Sequence, residues 1–397
     1  MKLLIFIHSL NAGGAERVTT HLANYWSSCG HELTLVTLAP VAADFYEVAP
    51  TIRRIALNLT STPNGLIAGV RENLRRIGAL RALLKQEDPD FAISMMSTSN
   101  VLLALATKEL PRIRAIGVEH TYPPQAPLGL PWEILRYATY SQLAAVVSLT
   151  HECAHWLRKK TTASKVPIIP NAAVWPLADQ IPSVDPEKVC SPGRKLLLGV
   201  GRLSEEKNFD KLIEVFERLA THHAEWDLAL LGEGPERPAL EARIKGAGLT
   251  GRIFLPGRIG NIGRWYERAD LYVMTSRFEG FPNTLVEAMA YGLPAISFDC
   301  DTGPRDIIRH GIDGLLVPPN DLDSLQAALK RLMSDSNLRN VYGMRAIETR
   351  QRFSIEKIAA MWQFLFDECT RSRARPGVAE AMRKELVKGT TNEHKST

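Results

Sequence analysis

Short apolar runs alternate with longer amphipathic segments along this chain, and that alternation limits the possible folds more than any other feature. In the first half the apolar runs lie at residues 3–10, 32–39, 91–96, 115–120, 145–150 and 166–171. After a proline-rich stretch they resume at residues 195–203, 227–234, 252–257, 270–276, 294–300 and 314–319. Short apolar strands separated by helices are typical of a parallel sheet covered by helices on both faces. The sequence therefore predicts an α/β protein with two doubly wound, Rossmann-like domains joined by a linker.

The length of the chain fits this prediction. Its 397 residues, 45% hydrophobic and 23% charged, are enough for two globular domains. We expect an N-terminal domain at residues 1–180, a C-terminal domain at 181–352 and a further helix at 353–370. Residues 371–397 are basic and polar without periodicity, so we expect a frayed tail there.

Charge and cysteine content exclude several classes of protein. The net charge is +5, and basic and acidic residues are nearly balanced in both halves, so nucleic-acid binding is not indicated. The five cysteines are scattered without a C-x-x-C pair, as is typical of a reducing compartment. No run of about 18 apolar residues is present, and no signal-peptide cleavage site follows Lys2. These features predict a cytoplasmic protein that neither spans a membrane nor is exported.

The segment from Glu279 to Glu287 is the most informative candidate for a site. It places two carboxylates eight positions apart, directly after an apolar run and across the start of the next helix. We predict Asn283 as the N-cap of that helix, so that the backbone N–H groups of Asn283, Thr284 and Leu285 point at a ligand. Phosphate is the usual ligand at such a helix start, which leaves Glu279 to recognise hydroxyl groups.

Further candidates follow other predicted strands. Gly13 and Gly14 allow a tight turn and close backbone approach at a helix start, although no G-x-G-x-x-G dinucleotide fingerprint is present. His120 ends an apolar run, and Arg202 and Lys207 lie around the first loop of the second domain, from which they could reach a diphosphate as fixed cations. Because ligands of open α/β sheets bind outside the carboxyl ends of the strands, these groups predict a site in a cleft between the two domains.

Several motifs, in the same order along the chain, resemble those of the family 4 retaining glycosyltransferases. They are GGAER at 13–17, EH at 119–120, GRLSEEKN at 201–208, SRFEGFPNTLVEAMAYGLPAI at 276–296, GPRDII at 303–308 and DGLLVPPND at 313–321. The resemblance covers nearly the whole chain and implies the GT-B fold, in which two Rossmann-like domains face an interdomain cleft. In that fold the last helix, here Ile355 to Phe366, returns to the first domain. The GPRDII arrangement resembles that of bacterial transferases that build polyprenyl-diphosphate-linked glycans or exopolysaccharide repeat units.

The resemblance implies a reaction and its partners. A sugar would move from a nucleotide-sugar donor, interpreted as a UDP-linked hexose or N-acetylhexosamine, to a hydroxyl of a glycan acceptor carried on a polyprenyl diphosphate. The anomeric configuration would be retained by a front-face reaction in which the leaving phosphate oxygen takes the acceptor proton. Neither a metal ion nor another cofactor would be required, and the protein would supply positioning and charge stabilisation.

The resemblance also implies roles for single residues. Glu279 would bind the donor sugar, Glu287 would bind the ribose hydroxyls, and Arg258 would border the nucleobase. His120 would lie beside the anomeric carbon, with an imidazole that can titrate or donate near neutral pH. Gly14 would lie against the donor phosphate or the acceptor. We do not assign Glu279 as a covalent nucleophile, because sequence cannot establish the carboxylate separation that such a mechanism needs.

Two short motifs suggest a metal site instead. Residues 151–155 match H-E-x-x-H, which on a helix would place two imidazoles on one face for zinc. No third ligand follows before the proline-rich stretch, so we interpret this segment as an ordinary helix start. Asp88 and Asp299 each begin a D-x-D pair, the metal-binding pattern of other glycosyltransferases, but the two pairs lie in different domains. We predict no metal site.

Two segments and the function class leave alternatives open. Arg305, within GPRDII, departs from the commonest family pattern and is interpreted as a contact to the donor or the acceptor. Residues 71–85 carry five basic and one acidic side chain, so this helix either packs on the sheet or holds the protein on anionic lipid at the inner face of the membrane. A sugar-nucleotide epimerase or hydrolase, and a catalytically inactive sugar-nucleotide-binding protein, are the alternatives to a transferase.

Overall fold

Two parallel sheets of six strands organise the chain, in a computed structural model that describes residues 1–61 and 65–371. The strands of the first sheet are β1 (Lys2–Ile7), β2 (Glu32–Thr37), β3 (Arg53–Ala56), β4 (Phe91–Met95), β5 (Arg114–Glu119) and β6 (Ala145–Ser148). Their order is β3-β2-β1-β4-β5-β6, so the direction of winding reverses between β1 and β4. The helices of this domain are α1 (Gly14–Ser28), α2 (Leu66–Glu87), α3 (Ser97–Thr107), α4 (Leu130–Thr139) and α5 (His151–Lys160). The predicted doubly wound arrangement is confirmed for this domain.

The second sheet repeats the same winding. Its strands are β7 (Lys195–Val200), β8 (Trp226–Leu231), β9 (Ile253–Gly257), β10 (Leu271–Met274), β11 (Ala295–Phe298) and β12 (Gly314–Val317). Their order is β12-β11-β10-β7-β8-β9. The helices are α6 (Pro186–Val189), α7 (Phe209–Ala220), α8 (Arg237–Gly246), α9 (Ile262–Arg268), α10 (Asn283–Ala290), α11 (Pro304–Ile307), α12 (Leu322–Ser334), α13 (Ser336–Ala346) and α14 (Thr349–Arg352). The chain therefore has the predicted α/β class with two Rossmann-like domains.

All but one of the predicted apolar runs contain a strand, because parallel strands buried on both faces carry apolar residues throughout. The run at 166–171 is the exception, since Ile168 forms only an isolated bridge with Ser148. Conversely, no apolar run predicted β3, which begins with Arg53 and Arg54. This strand lies at the edge of its sheet and is only partly buried, so it needs no apolar run.

Residues 355–371 form the last helix, α15, which packs on the first domain. The ring of Trp362 contacts that of Trp26 edge-on, with the centroids 5.6 Å apart. The ring of Phe366 lies 4.5 Å from that of Phe91, the first residue of β4. The segment 371–397 was expected to be a frayed tail. Apart from residue 371, it lies outside the described residues.

The carboxyl ends of the two sheets face each other. The backbone carbonyl of His120, directly after β5, packs against Gly280, in the loop after β10, and an added Cβ at that glycine would overlap the carbonyl oxygen. The side-chain amide of Asn283 donates to the carbonyl oxygen of Gly14 across the same gap, at 3.2 Å. The space between the domains is therefore bounded by the strand ends and the loops that follow them.

Helix α2 has two different halves. Leu80 and Leu84 are fully buried against the first sheet, whereas Ile67, Val70 and Leu74 are 88%, 61% and 63% exposed. Packing on the sheet is thus confirmed for the C-terminal half alone. No helix in the described ranges is both long enough and apolar enough to cross a lipid bilayer.

Candidate active site

A cavity of about 590 Å³ lies between the two domains, at the carboxyl ends of both sheets. This volume is within the usual range for a small-molecule site. The predicted site residues that line it are Gly14, His120, Arg202, Lys207, Glu279, Asn283 and Thr284. Residues from the segments that follow four strands, β1, β5, β7 and β10, thus meet in one place.

A smaller cavity of about 230 Å³ adjoins the first and shares Gly13, Arg202 and Thr284 with it. Arg258, the predicted neighbour of a nucleobase, lines this second cavity together with Tyr46. The two cavities lie side by side, and their lining extends from the loop after β5 to the loop after β9.

The start of α10 faces the larger cavity but is not capped as predicted. Pro282, not Asn283, occupies the N-cap position, and Asn283 is the first residue of the helix. Its side chain instead accepts a hydrogen bond from Asn171 at 2.9 Å and donates to Gly14. The backbone N–H of Leu285 is already bonded to the carbonyl of Pro282 at 3.1 Å, so its predicted availability to a ligand was wrong.

Asn283 and Thr284 keep the free donors of this helix start. Neither backbone N–H has an acceptor among residues 1–61 and 65–371. The positive end of the helix dipole adds to these two donors, and together they favour an anionic group in the cavity.

An ion pair joins the two sides of the second-domain site. Lys207 Nζ lies 2.6 Å from Glu279 Oε1, which also accepts a hydrogen bond from the hydroxyl of Ser276 at 2.6 Å. The two charged side chains are 20% and 12% exposed, so the pair is largely shielded from water. The Thr302 hydroxyl donates to the backbone carbonyl of Glu279 and fixes the loop. Both charges are therefore held in place before any ligand enters.

Arg202 has a different environment. It follows β7 and lines both cavities, yet its guanidinium forms no hydrogen bond or ion pair within the part of the chain that the structure describes. An exposed, unpaired guanidinium at the junction of two cavities can bind an anion without first breaking an internal contact.

Glu287 is buried and paired, and it lines neither cavity. Its carboxylate lies 2.5 Å from Arg17 Nη2 of α1 and accepts a hydrogen bond from Tyr266 at 3.0 Å. Burial raises the pKa of Glu287 above its ordinary value, and the Arg17 guanidinium opposes that increase. The predicted contact of Glu287 with ribose hydroxyls stays a prediction.

Arg17 is the main residue that the sequence reasoning missed. It belongs to the GGAER motif, but nothing in the motif indicates a partner in the other domain. Asn171 was missed as well, although a polar residue directly after an apolar run is a signal that could have identified it.

His120 is held in the cavity wall by its surroundings. Its Nε2 lies 3.4 Å from Met95 Sδ, and burial lowers the pKa of the imidazole to about 4. The ring is therefore neutral at pH 7, and the expectation that it titrates near neutral pH is wrong. A neutral imidazole can still donate one N–H to a ligand.

The two metal motifs are placed apart from the cavity. His151 opens α5, and the side chains of His151 and His155 are exposed. Asp299 pairs with Arg305 at 2.9 Å, and Asp301 accepts from Gln125 of the first domain at 2.8 Å. No three His, Cys, Asp or Glu side chains in residues 1–61 and 65–371 are grouped so that they could hold a metal ion.

Two Rossmann-like domains that face each other across a ligand-sized cleft constitute the GT-B architecture. Among solved structures, the chain is similar to sucrose-phosphate synthase from Thermosynechococcus elongatus, with a TM-score of 0.80 and 20% identity over 94% of this chain and 100% of the other. It is also similar to a glycosyltransferase from Rickettsia africae, with a TM-score of 0.75 and 18% identity over 93% of this chain and 98% of the other. At these identities the likeness shows the fold.

The family follows from the sequence match. Residues 12–173 match the model described as Glycosyltransferase Family 4, and residues 184–349 match the model described as Glycosyl transferases group 1. The two matches together cover most of both domains, and the chain belongs to this family of glycosyltransferases.

Curated relatives include exopolysaccharide and glycan enzymes of bacteria. The chain is 34% identical over 71% of its length to exopolysaccharide phosphotransferase SCO2592 of Streptomyces coelicolor, but that match spans only 29% of the Streptomyces protein. It is 27% identical to the amylovoran biosynthesis glycosyltransferase AmsD of Erwinia amylovora, over 91% of this chain and 98% of the relative. It is also 27% identical, over 93% of this chain and 99% of the relative, to a Campylobacter jejuni N-acetylgalactosaminyltransferase named for an undecaprenyl-diphosphate-linked acceptor.

Proposed function

We propose that the protein is a retaining, metal-independent glycosyltransferase that uses a UDP-linked hexose or N-acetylhexosamine. The observation that carries the proposal is the meeting of free backbone donors, an unpaired guanidinium and a fixed Lys207–Glu279 pair in one interdomain cavity. A nucleoside diphosphate offers the matching anion, and a sugar offers hydroxyl groups for Glu279.

The diphosphate would lie between the start of α10 and the loop after β7. The N–H groups of Asn283 and Thr284 would donate to its oxygens, and Arg202 and Lys207 would neutralise the charge that develops as it leaves. Since all these groups are in position beforehand, little reorganisation is needed at the moment of reaction. The nucleobase would occupy the smaller cavity, beside Arg258.

The transfer itself would be a front-face substitution. The bond from the anomeric carbon to the leaving phosphate oxygen breaks, the bond to the acceptor oxygen forms on the same face, and the acceptor proton passes to the leaving oxygen. Glu279, already bound to Lys207 and Ser276, is assigned to a sugar hydroxyl and not to covalent attack. The neutral His120 donates its N–H to the sugar.

We further propose that the acceptor is a glycan on a polyprenyl diphosphate, in the assembly of a bacterial surface polysaccharide. The Erwinia and Campylobacter relatives, which match over nearly their whole lengths, support this choice by their names. Such an acceptor lies in the inner leaflet of the cytoplasmic membrane, so the enzyme would work on the cytoplasmic side as a peripheral protein.

The test is ligand-induced thermal stabilisation by UDP, GDP and NAD in excess EDTA, for the native protein and for Lys207→Ala. A ligand at 100 times its dissociation constant stabilises by about 2.7 kcal/mol, so UDP should raise the unfolding temperature clearly. Lys207→Ala should remove most of this shift. Lys211→Ala is the matched control, because Lys211 lies on α7 and pairs with Glu214 outside the cavity.

If no nucleoside diphosphate stabilises the protein without a divalent cation, the metal-independent mechanism is wrong. Product analysis then separates the remaining classes. Turnover of the sugar nucleotide without any acceptor would identify an epimerase or hydrolase, and binding without turnover would identify an inactive sugar-nucleotide-binding protein.

A further inference from the structure

Met96 has a backbone conformation that its residue type rarely adopts. Within residues 1–61 and 65–371, five non-glycine residues have a positive φ: Asn58, Asp88, Met96, Asn208 and Asn320. Asn and Asp tolerate a positive φ because their short polar side chains can bond to the nearby backbone. Met96, with φ 81° and ψ 149°, lies instead near a region that is essentially restricted to glycine. Its backbone is therefore strained, and strain of this kind is typical of ligand sites.

The strained conformation changes the direction of the Met96 side chain. Met95, the last residue of β4, is buried in one core of the domain, and Ala92, on the opposite face of the strand, is buried in the other. By simple alternation, residue 96 would point to the same face as Ala92, which is covered by α3. The positive φ turns the residue away from that covered face, and Met96 lines the larger cavity instead.

The surrounding hydrogen bonds impose this conformation. The N–H of Met96 donates to the carbonyl of Val118 in β5 at 3.0 Å, and its own carbonyl accepts from the N–H of Asn100 at 3.0 Å. The Asn100 side chain bonds to both the N–H and the carbonyl of Val118, at 3.1 and 3.0 Å. The Ser97 hydroxyl donates to the buried carboxylate of Glu119 at 2.5 Å. Met96 is thus tied to β5 directly and through the residues that follow it.

Met96 has a central place in the first-domain wall of the cavity. Strand β4 lies between β1 and β5, and the winding of the sheet reverses between β1 and β4. In open α/β sheets such a reversal is where a ligand crevice forms. The cavity residues that directly follow these three strands are uncharged at pH 7, since His120 is neutral. They include Ser9, Asn11, Met96 and Tyr122.

The two walls of the cavity therefore suit different ligands. The second-domain wall carries Arg202, Lys207 and the free donors of α10, which suit a diphosphate. The neutral first-domain wall suits an uncharged sugar ring, whose C–H face packs on an apolar side chain while its hydroxyls bond to polar groups. Met96 offers the apolar surface, and Ser9 and Asn11 offer the polar groups.

We infer that Met96 is a specificity-determining residue whose side chain forms the apolar surface on which the ring of the acceptor sugar packs. The inference rests on the proposed function, because an acceptor sugar presupposes a transferase. The strained backbone holds the thioether in the cavity before the acceptor arrives. Met96 acts on the binding of the acceptor sugar and not on that of the nucleoside diphosphate.

The first experiment tests the strain by thermal unfolding of Met96→Gly and Met96→Ala. At an ordinary position the alanine variant is the more stable of the two. Here the glycine variant should unfold at a temperature at least about 2 °C higher, because glycine relieves the strain and alanine does not. The matched control is the same pair of changes at Met344, which is 66% exposed on α13 and where alanine should be the more stable. The same order at both positions would overturn the inference.

The second experiment tests the contact by saturation-transfer NMR titration with UDP bound. The probes are the methyl α-glycosides of glucose, galactose, N-acetylglucosamine and N-acetylgalactosamine. At least one should bind the native protein, and Met96→Ala and Met96→Gly should weaken its binding about fivefold or more, since an apolar contact is lost. Met96→Leu, which keeps the apolar volume, should stay within about twofold of the native protein. Met344→Ala should bind as the native protein does.

Two results of the titration would overturn the inference. One is that the native protein binds none of the four glycosides. The other is that Met96→Ala binds them as tightly as the native protein does. If binding is also lost in Glu279→Gln while Met96→Ala is unchanged, the glycoside occupies the position proposed for the donor sugar.

The UDP-induced thermal shift separates this inference from the proposed function. The Met96 variants should keep the native response to UDP, and a lost response would show that Met96 serves the donor instead. Glycoside binding that depends on Met96, in a protein that does not respond to UDP, would leave the sugar subsite standing and refute the donor site.

Discussion

The buried pair between Arg17 and Glu287 ties the two domains together, and its removal should be costly. The side chains are 15% and 6% exposed and 2.5 Å apart. Arg17→Met keeps most of the volume but leaves Glu287 as a buried charge, with the hydroxyl of Tyr266 as its remaining partner. Breaking such a pair on one side typically costs about 3–5 kcal/mol. For a domain of this size, in which 1 kcal/mol shifts the unfolding temperature by about 2–4 °C, that corresponds to a loss of about 6–20 °C.

The loss of stability in Arg17→Met should depend on pH in a defined direction. Burial already raises the pKa of Glu287 in the folded protein, and without Arg17 it should rise further. A folded state with a raised carboxyl pKa binds its proton more tightly than the unfolded chain does. The contribution of Glu287 to stability is therefore greatest at low pH, and it falls as pH rises through the pKa of Glu287 in the folded protein. Arg17→Met should be destabilised more at pH 8 than at pH 5, relative to the native protein.

The coupling between the two residues is measured by thermal unfolding at pH 5 and pH 8. Four proteins are compared: the native protein, Arg17→Met, Glu287→Gln and the double variant. The double variant should be more stable than Arg17→Met at pH 8, because it no longer buries an unpaired charge. If Arg17→Met is as stable as the native protein at pH 8, or if the two single effects simply add, the pair is not coupled and the reasoning fails.

Three further predictions concern the cleft. The His120 imidazole should titrate near pH 4 by NMR, so that stability falls as pH drops from the ordinary histidine pKa towards that value; a midpoint near 6.5 would contradict the burial argument. Gly280→Ala should lower both the unfolding temperature and activity, because its Cβ would overlap the His120 carbonyl, whereas Gly246→Ala, at an open position in α8, should not. Arg202→Ala should weaken UDP binding about tenfold or more while leaving the unliganded protein as stable as before, since the guanidinium has no partner among the described residues; a large loss of stability without ligand would show that Arg202 is structural.

The fold and the location of the cleft were predictable because they depend on local pattern. A parallel strand buried on both faces must be apolar along its length, so eleven of the twelve strands in the described residues coincide with apolar runs. The exception is β3, which lies at a sheet edge and needs no apolar run. Polar residues that directly follow these runs must lie at the carboxyl edge of a sheet. This rule, together with the resemblance of the motifs to those of the family, located the loop of Gly14, His120 and the loop after β7.

What the tertiary structure decided was the environment of each of these residues. The pairing of Arg17 with Glu287, the bonds of Asn283 to Asn171 and Gly14, and the lowered pKa of His120 all involve groups from different loops, and most of them join one domain to the other. Sequence patterns predict which helix, strand or loop a residue belongs to, but not which other element packs against it. Desolvation and charge pairing depend on that closure, and so it is the packing of the two domains that determines which predicted site residues face the cavity and which are buried.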